Sequence, residues 1–293
     1  MKKPPEASRG RAAAAIDETV RLGATALEER RAGDAERLAR EALARDSRHP
    51  DALHLLGVAL LAQKRAREAV APLEAAAHQR SGPRVETYLG KALLESGRTS
   101  EALTRLQRAI ELKPPFVPAF QELGILLSTM RRFDEAEAVL KRGLEAEPTS
   151  IELSLDLGGF YIVRADAKNA RIAFARAMVN APRDPRALHG LGVALLFEGD
   201  IERAVERFRQ VLAIQPGHVP ARLDLAHALL QLGRSEDAVE SLRALVRTSP
   251  QHFGKAVKAL ASAGRGRFWV HRSAAAQFLN ADTQAPAAGA TAR

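Results

Sequence analysis

Apolar residues in this chain fall in short stripes, and the stripes repeat. Leucine precedes glycine at Leu22-Gly23, Leu56-Gly57, Leu89-Gly90, Leu123-Gly124, Leu157-Gly158 and Leu191-Gly192, and Leu225-Ala226 continues the series, so the steps are 34, 33, 34, 34, 34 and 34 residues. Twelve residues after each of these small residues stands alanine: Ala35, Ala69, Ala102, Ala136, Ala170, Ala204 and Ala238. Sixteen after stand Ala39, Leu73, Leu106, Leu140, Phe174, Phe208 and Leu242, and twenty-four after, in the last five units, Pro114, Pro148, Pro182, Pro216 and Pro250. Self-similarity at one period of this length is the mark of a repeat architecture.

With the glycine numbered 8, apolar residues at 4, 7 and 11 around the small residue form the i, i+3, i+4, i+7 stripe of an amphipathic helix, helix A. A second stripe at 20, 24 and 27, as in Ala102, Leu106 and Ala109 or Ala170, Phe174 and Ala177, predicts helix B. Glycine costs about 1 kcal/mol of helix propensity against alanine, so its recurrence predicts a close helix contact, with the alanine at 20 as its expected partner. Turns are expected at Ser96-Gly97-Arg98, Glu198-Gly199-Asp200 and Leu232-Gly233-Arg234, and proline at 32 is expected to end helix B. In the first unit Gly33-Asp34 reads as a turn three residues late, which makes that unit irregular. No strand-like alternation interrupts the pattern.

Bulky-Leu-Gly on one helix followed by Ala, an aromatic or leucine, Ala and then Pro on the next resembles the tetratricopeptide repeat over residues 16–250, most clearly at Asp51–Gly57 and Ala187–Gly192. The resemblance implies an all-α solenoid of about seven antiparallel helix pairs in a right-handed superhelix. The match departs from the family pattern at position 4, aromatic only as Phe120 and charged at Arg222, and at position 11, aromatic only as Tyr161. Residues 1–15 are expected to form a basic flexible segment. Residues 251–280 hold a capping helix, with Phe253, Val257 and Leu260 on one face, and the Arg- and Trp-bearing Gly264–Val270; residues 281–293 read as a disordered tail.

Charge changes this picture little. The formal charge of +9 is concentrated in residues 1–11 and 251–293, leaving the body close to neutral, without the single-sign field of a surface that tracks a phosphate backbone. Absence of cysteine excludes a disulfide framework, a thiolate nucleophile and Cys-based metal sites. There is no stretch of about 18 apolar residues and no secretory h-region, so a cytoplasmic protein is expected. High Ala and Arg with few Lys suggests a GC-rich bacterial genome. The eight histidines form no HExxH, and no GxSxG, Walker A loop or dinucleotide fingerprint occurs. Catalytic residues, metal ligands, cofactors and a small-molecule substrate are therefore not expected, and the chain is read as not an enzyme.

In the family, the remaining positions of the stacked A helices line a concave groove that binds partner segments. That implication assigns a binding surface to His54, Thr87, Lys91, Gln121, Ser128, Ile162, His189, Leu196, Phe197 and His227. Members that clamp a C-terminal carboxylate carry Lys and Asn at positions 5 and 9, then Asn at 9, then Lys and Arg at 5 and 9. Here those positions hold His54, Val58, Thr87, Lys91, Gln121 and Ile125, so the clamp is absent. A scaffold or adaptor for a protein or peptide, amphipathic or with apolar anchors, is the leading expectation. The alternatives are an adaptor whose basic tails touch nucleic acid or anionic lipid, and a substrate-recruiting partner of a separate enzyme or secretion assembly.

Overall fold

The computed structural model describes residues 6–262 and Leu279; residues 1–5, the Gly264–Val270 segment and the tail at 281–293 lie outside the described residues. Every regular element among them is helical. The chain divides into two compact units, Met1–Pro148 and Thr149–Arg293. The first holds α1 (Glu6–Glu28), α2 (Ala32–Arg45), α3 (Pro50–Ala62), α4 (Ala66–Gln79), α5 (Pro83–Glu95), α6 (Thr99–Glu111), α7 (Val117–Thr129) and α8 (Phe133–Ala146). The second holds α9 (Ile151–Val163), α10 (Ala167–Asn180), α11 (Pro185–Glu198), α12 (Ile201–Ile214), α13 (Val219–Gln231), α14 (Ser235–Thr248), a single 3-10 turn and α15 (Phe253–Ser262). Residues 6–15, expected as part of a flexible segment, belong to α1.

Each A helix ends in one recurring turn. Its left-handed residue falls at Arg30, Lys64, Gly97, Arg131, Ala165, Gly199 and Gly233, with φ between 56° and 88°. The next residue's N–H reaches back five residues to a helix carbonyl, as Arg31 to Ala26 at 2.7 Å and Asp200 to Leu195 at 2.9 Å, which satisfies carbonyls the helix end would otherwise leave unpaired. The first repeat turns at Arg30, in register with the rest. Gly33, expected in that turn, sits inside α2, where a side chain would meet nothing within 4 Å.

The residue after the turn opens helix B. It is arginine in five repeats, and each pairs with an acid three residues on: Arg31–Asp34, Arg65–Glu68, Arg98–Glu101, Arg132–Glu135 and Arg234–Asp237, at 2.5–2.7 Å. Asp166 and Asp200 instead cap α10 and α12 with their carboxylates. The repeated prolines follow the B helices, as Pro148 after α8 and Pro182 after α10, because proline has no N–H to continue the ladder and drives the preceding residue out of the helical region. A second set opens the A helices, Pro50, Pro83 and Pro185 at the first helical position and Pro118 and Pro220 at the second, where the missing N–H costs nothing.

The glycines do mark close helix contacts, but their partner is the bulky residue at position 24 rather than the alanine at 20. A Cβ on Gly57 would lie 2.3 Å from Leu73, on Gly90 2.7 Å from Leu106, on Gly158 2.6 Å from Phe174 and on Gly192 2.5 Å from Phe208. Gly23 faces Leu55 of α3 instead, because position 24 in the first repeat is only Ala39. Position 4 is not uniformly apolar: Thr19, Glu86 and Ser154 are buried there. Glu86 accepts from Ser81 and lies within 3.4 Å of Arg105 and Arg108 of α6, so its buried charge is matched across the pair.

Within the first unit α1 packs on α3, α3 on α5 and α5 on α7; within the second α9 packs on α11 and α11 on α13. Successive B helices show no comparable packing among the described residues. In each unit the A helices thus share one continuous face. Helix α15 lies on α13 and α14, with Ala256 and Leu260 buried and Phe253 and Val257 half-buried.

Candidate functional site

In the first unit the shared A-helix face spends most of its polar groups internally. The His54 ring meets Tyr88 edge-on at 5.4 Å, Tyr88 leads to Phe116 at 6.4 Å, and Arg84 stands over the Phe116 ring at 5.2 Å. His54 Nε2 is enclosed without a protein hydrogen-bond partner, and burial pushes its pKa down to about 4. Thr87 is buried and donates to the Pro83 carbonyl at 2.6 Å, closing off the hydroxyl. Lys91 Nζ lies 2.5 Å from Glu122 Oε1; burial disfavours its charge, but the hydrogen bond and charge of Glu122 outweigh that and raise its pKa. Gln121 is half-buried, and Ser128 donates to the Gly124 carbonyl one turn back at 2.8 Å.

The second unit is different. Ile162 on α9 and Leu196 on α11 are half-buried, while Val163 and Phe197 beside them are 78% and 60% exposed. Gly159, one turn before Val163, has open space where a Cβ would be, so the A-helix face carries a notch next to its apolar side chains. His189 Nε2 is 2.7 Å from Asp224 Oδ2 on α13, with its ring 5.7 Å from Phe208 and 5.1 Å from His218. His218 Nδ1 accepts from the Ala221 N–H and so caps α13; burial, then the neighbouring His189, lowers its pKa. His227 is exposed, with Nε2 3.0 Å from the Gln231 side-chain nitrogen.

The structure therefore leaves Phe197 exposed and Ile162 and Leu196 half-exposed on successive A helices, ties Lys91 to Glu122 of the next repeat by an ion pair, and holds His189 within hydrogen-bond distance of Asp224 of the next repeat. Glu122 and Asp224, the two partners, were not among the sequence-predicted residues. Both occupy position 6, and the pairings run from positions 9 and 5 to the following unit, a relation that only the stacking of neighbouring A helices creates. Val163 occupies in its repeat the position that Phe197 holds in the next. No group of three His, Asp or Glu among the described residues is placed to hold a metal ion. The cleft between α6, α7 and α8, about 360 Å³, is lined by Arg108, Glu111 and Glu135, which are all committed to ion pairs.

Two family models, both described as tetratricopeptide repeat, match this chain, one over residues 93–152 and 195–263 and the other over residues 20–84. The chain belongs to the tetratricopeptide-repeat family. Among solved structures it is similar to PilF of Pseudomonas aeruginosa, 21% identical with a TM-score of 0.60, over 72% of this chain and 96% of that one. It also resembles the C-terminal part of a repeat protein from Cytophaga hutchinsonii, 15% identical with a TM-score of 0.62, over 82% and 99% of the two chains. The Cut9–Hcn1 hetero-tetramer of the APC/C matches at 17% identity and a TM-score of 0.59 over 72% of this chain, which spans only 42% of the matched one. No curated protein matches the sequence. Tetratricopeptide repeats generally mediate protein–protein interaction, and the fold is typically a non-catalytic scaffold. No helix among the described residues is long and apolar enough to cross a membrane.

Proposed function

We propose that this chain is a non-enzymatic adaptor that holds a segment of a partner protein on the A-helix face of its second unit. The observation that carries the reading is the pair Val163 and Phe197, large apolar side chains left 78% and 60% exposed at equivalent positions of two successive A helices. Exposed apolar side chains that adjoin half-buried Ile162 and Leu196 and an open notch at Gly159 offer a patch that a partner's apolar anchors can cover. Of the polar groups on that face, His189 is held against Asp224 and His227 is exposed. Such a surface suits an amphipathic helix or an extended segment better than a carboxylate terminus.

The test is affinity capture from native lysate, with and without nuclease, comparing the natural chain with Leu196→Asp/Phe197→Asp. One or two proteins should be recovered regardless of nuclease and lost from the variant while circular dichroism stays helical. Loss of helicity in the variant would return these residues to the core. Recovery that collapses with nuclease would move the function to the basic ends of the chain.

A further inference from the structure

Glycines inside these helices are mostly packed against. A Cβ on Gly57, Gly90, Gly124, Gly158, Gly190 or Gly192 would come within 2.9 Å of a leucine or phenylalanine of a neighbouring helix. Gly33 and Gly254 meet nothing within 4 Å, but each stands second in its helix, α2 and α15, where the helix has scarcely begun. Gly159 meets nothing either, and it lies exposed in the body of α9. Glycine there costs helix propensity, and no neighbouring helix fills the space it leaves. The equivalent position holds Ala24, Val58, Lys91, Ile125, Val193 and His227 in the other six repeats, so the repeat pattern does not call for glycine.

What the missing side chain does is expose its surroundings. Residues three and four apart are neighbours on a helix surface, so Gly159 is ringed by Leu155, Asp156, Ile162 and Val163. Leu155, Asp156 and Ile162 are half-buried, Asp156 is already engaged in a contact of its own, and Val163 is 78% exposed. Side chains lean over the turn before their own Cα, so Val163 overhangs the bare backbone at 159. In the next repeat the half-buried Val193 fills the corresponding place before Phe197. Leu155 and Val163 stand eight residues apart, about 12 Å along the axis, and the gap between them is long enough for a flat ring to lie on the exposed backbone. We infer that Gly159 is the specificity-determining residue of the A-helix face, leaving a slot beside Leu155, Ile162 and Val163 that receives an aromatic side chain of the partner segment. A ring covers such a slot with a large apolar face while fixing only two rotatable bonds, whereas a charged group would lose its water against three apolar neighbours. The inference rests on the reading that the partner lies on this face.

The experiment is panning of a random linear peptide library, displayed on phage, against the full chain with counter-selection on Leu196→Asp/Phe197→Asp. Retained sequences should share a Phe, Tyr or Trp. Synthetic peptides made from them should bind Gly159→Ala about threefold and Gly159→Leu at least about tenfold more weakly than the natural chain. Replacing the shared ring by alanine should weaken binding to the natural chain at least about tenfold and binding to Gly159→Leu hardly at all, the coupling expected when ring and glycine meet. An equal effect of that replacement in both chains would place the ring elsewhere and overturn the proposal. The melting temperatures of both variants should be unchanged or higher; a clear fall would show that the glycine serves the fold and overturn it. Equal loss of binding with Ala and with Leu would assign the effect to backbone freedom and also overturn it. Peptides that bind Gly159→Leu as tightly as the natural chain would overturn the slot while leaving the A-helix face as the docking surface, and recovery of no sequence would overturn both. Dimerisation in sedimentation that Gly159→Leu abolishes would put a second copy in the slot and overturn the assignment to a partner.

Discussion

At the scale of single residues, histidine takes three roles that its immediate surroundings assign. His49 and His218 accept a backbone N–H through Nδ1 and cap α3 and α13, which needs that nitrogen unprotonated. His189 is paired with Asp224. His54 has Nε2 enclosed without a partner, and burial lowers its pKa from the usual 6.5 to about 4. Its folded value is lowered, so the stability it contributes is complete above about pH 6.5 and is lost as the pH falls toward and through 4. Urea unfolding at pH 7 and pH 4.5 should show a loss smaller by about 2 kcal/mol in His54→Gln than in the natural chain, since the difference isolates this ring from the carboxylates. An equal loss in both would mean that the ring is already wet. None of these roles is written in the histidine itself: the two caps depend on where a helix begins, and the roles of His54 and His189 on neighbours one helix away.

Between helices, the contact that organises each pair is a missing side chain against a large one. Phe174 is flanked by Gly158 of its own repeat and Gly190 of the next, with added Cβ atoms 2.6 and 2.3 Å from its ring. The repeated leucine-glycine pairs made the close approach legible, and the spacing placed both helices. The spacing points to the alanine at 20, but side chains on a helix lean over the turn before their own Cα, so position 24 reaches the glycine instead. Two substitutions separate the packing role of glycine from its low propensity. Gly192→Ala, driven against the stiff Phe208 ring, should cost about 1–3 kcal/mol, whereas Gly159→Ala, with open space ahead of it, should be neutral or stabilise by up to about 1 kcal/mol. Thermal melts of the two variants check this, and equal behaviour would refute the close-contact explanation.

Across the whole molecule, the charge lies at the chain ends while the exposed apolar side chains on α9, α10 and α11 lie in the near-neutral body. Partner capture through the A-helix face should accordingly survive about 1 M salt, where the screening length falls to about 3 Å. Capture lost at that salt, with the fold intact by circular dichroism, would assign the affinity to the basic ends.

The sequence by itself determined the helix pairs, their period and the family, because those depend on local periodicity and on glycine and proline, whose conformational limits act within a few residues. It also placed every candidate binding position on an A helix. Only the tertiary structure decided which of those positions stay open. Lys91 is spent on Glu122, Thr87 on the Pro83 carbonyl and His189 on Asp224, while Phe197 and Val163 are left to solvent. The turn at Arg30 was hidden for a related reason: a left-handed residue is usually glycine, yet Arg30, Lys64, Arg131 and Ala165 adopt that conformation, held there by the carbonyl bonds that close the helix end. Pairing between side chains a full repeat apart is a property of how helices stack, and exposure is what remains after that pairing is complete.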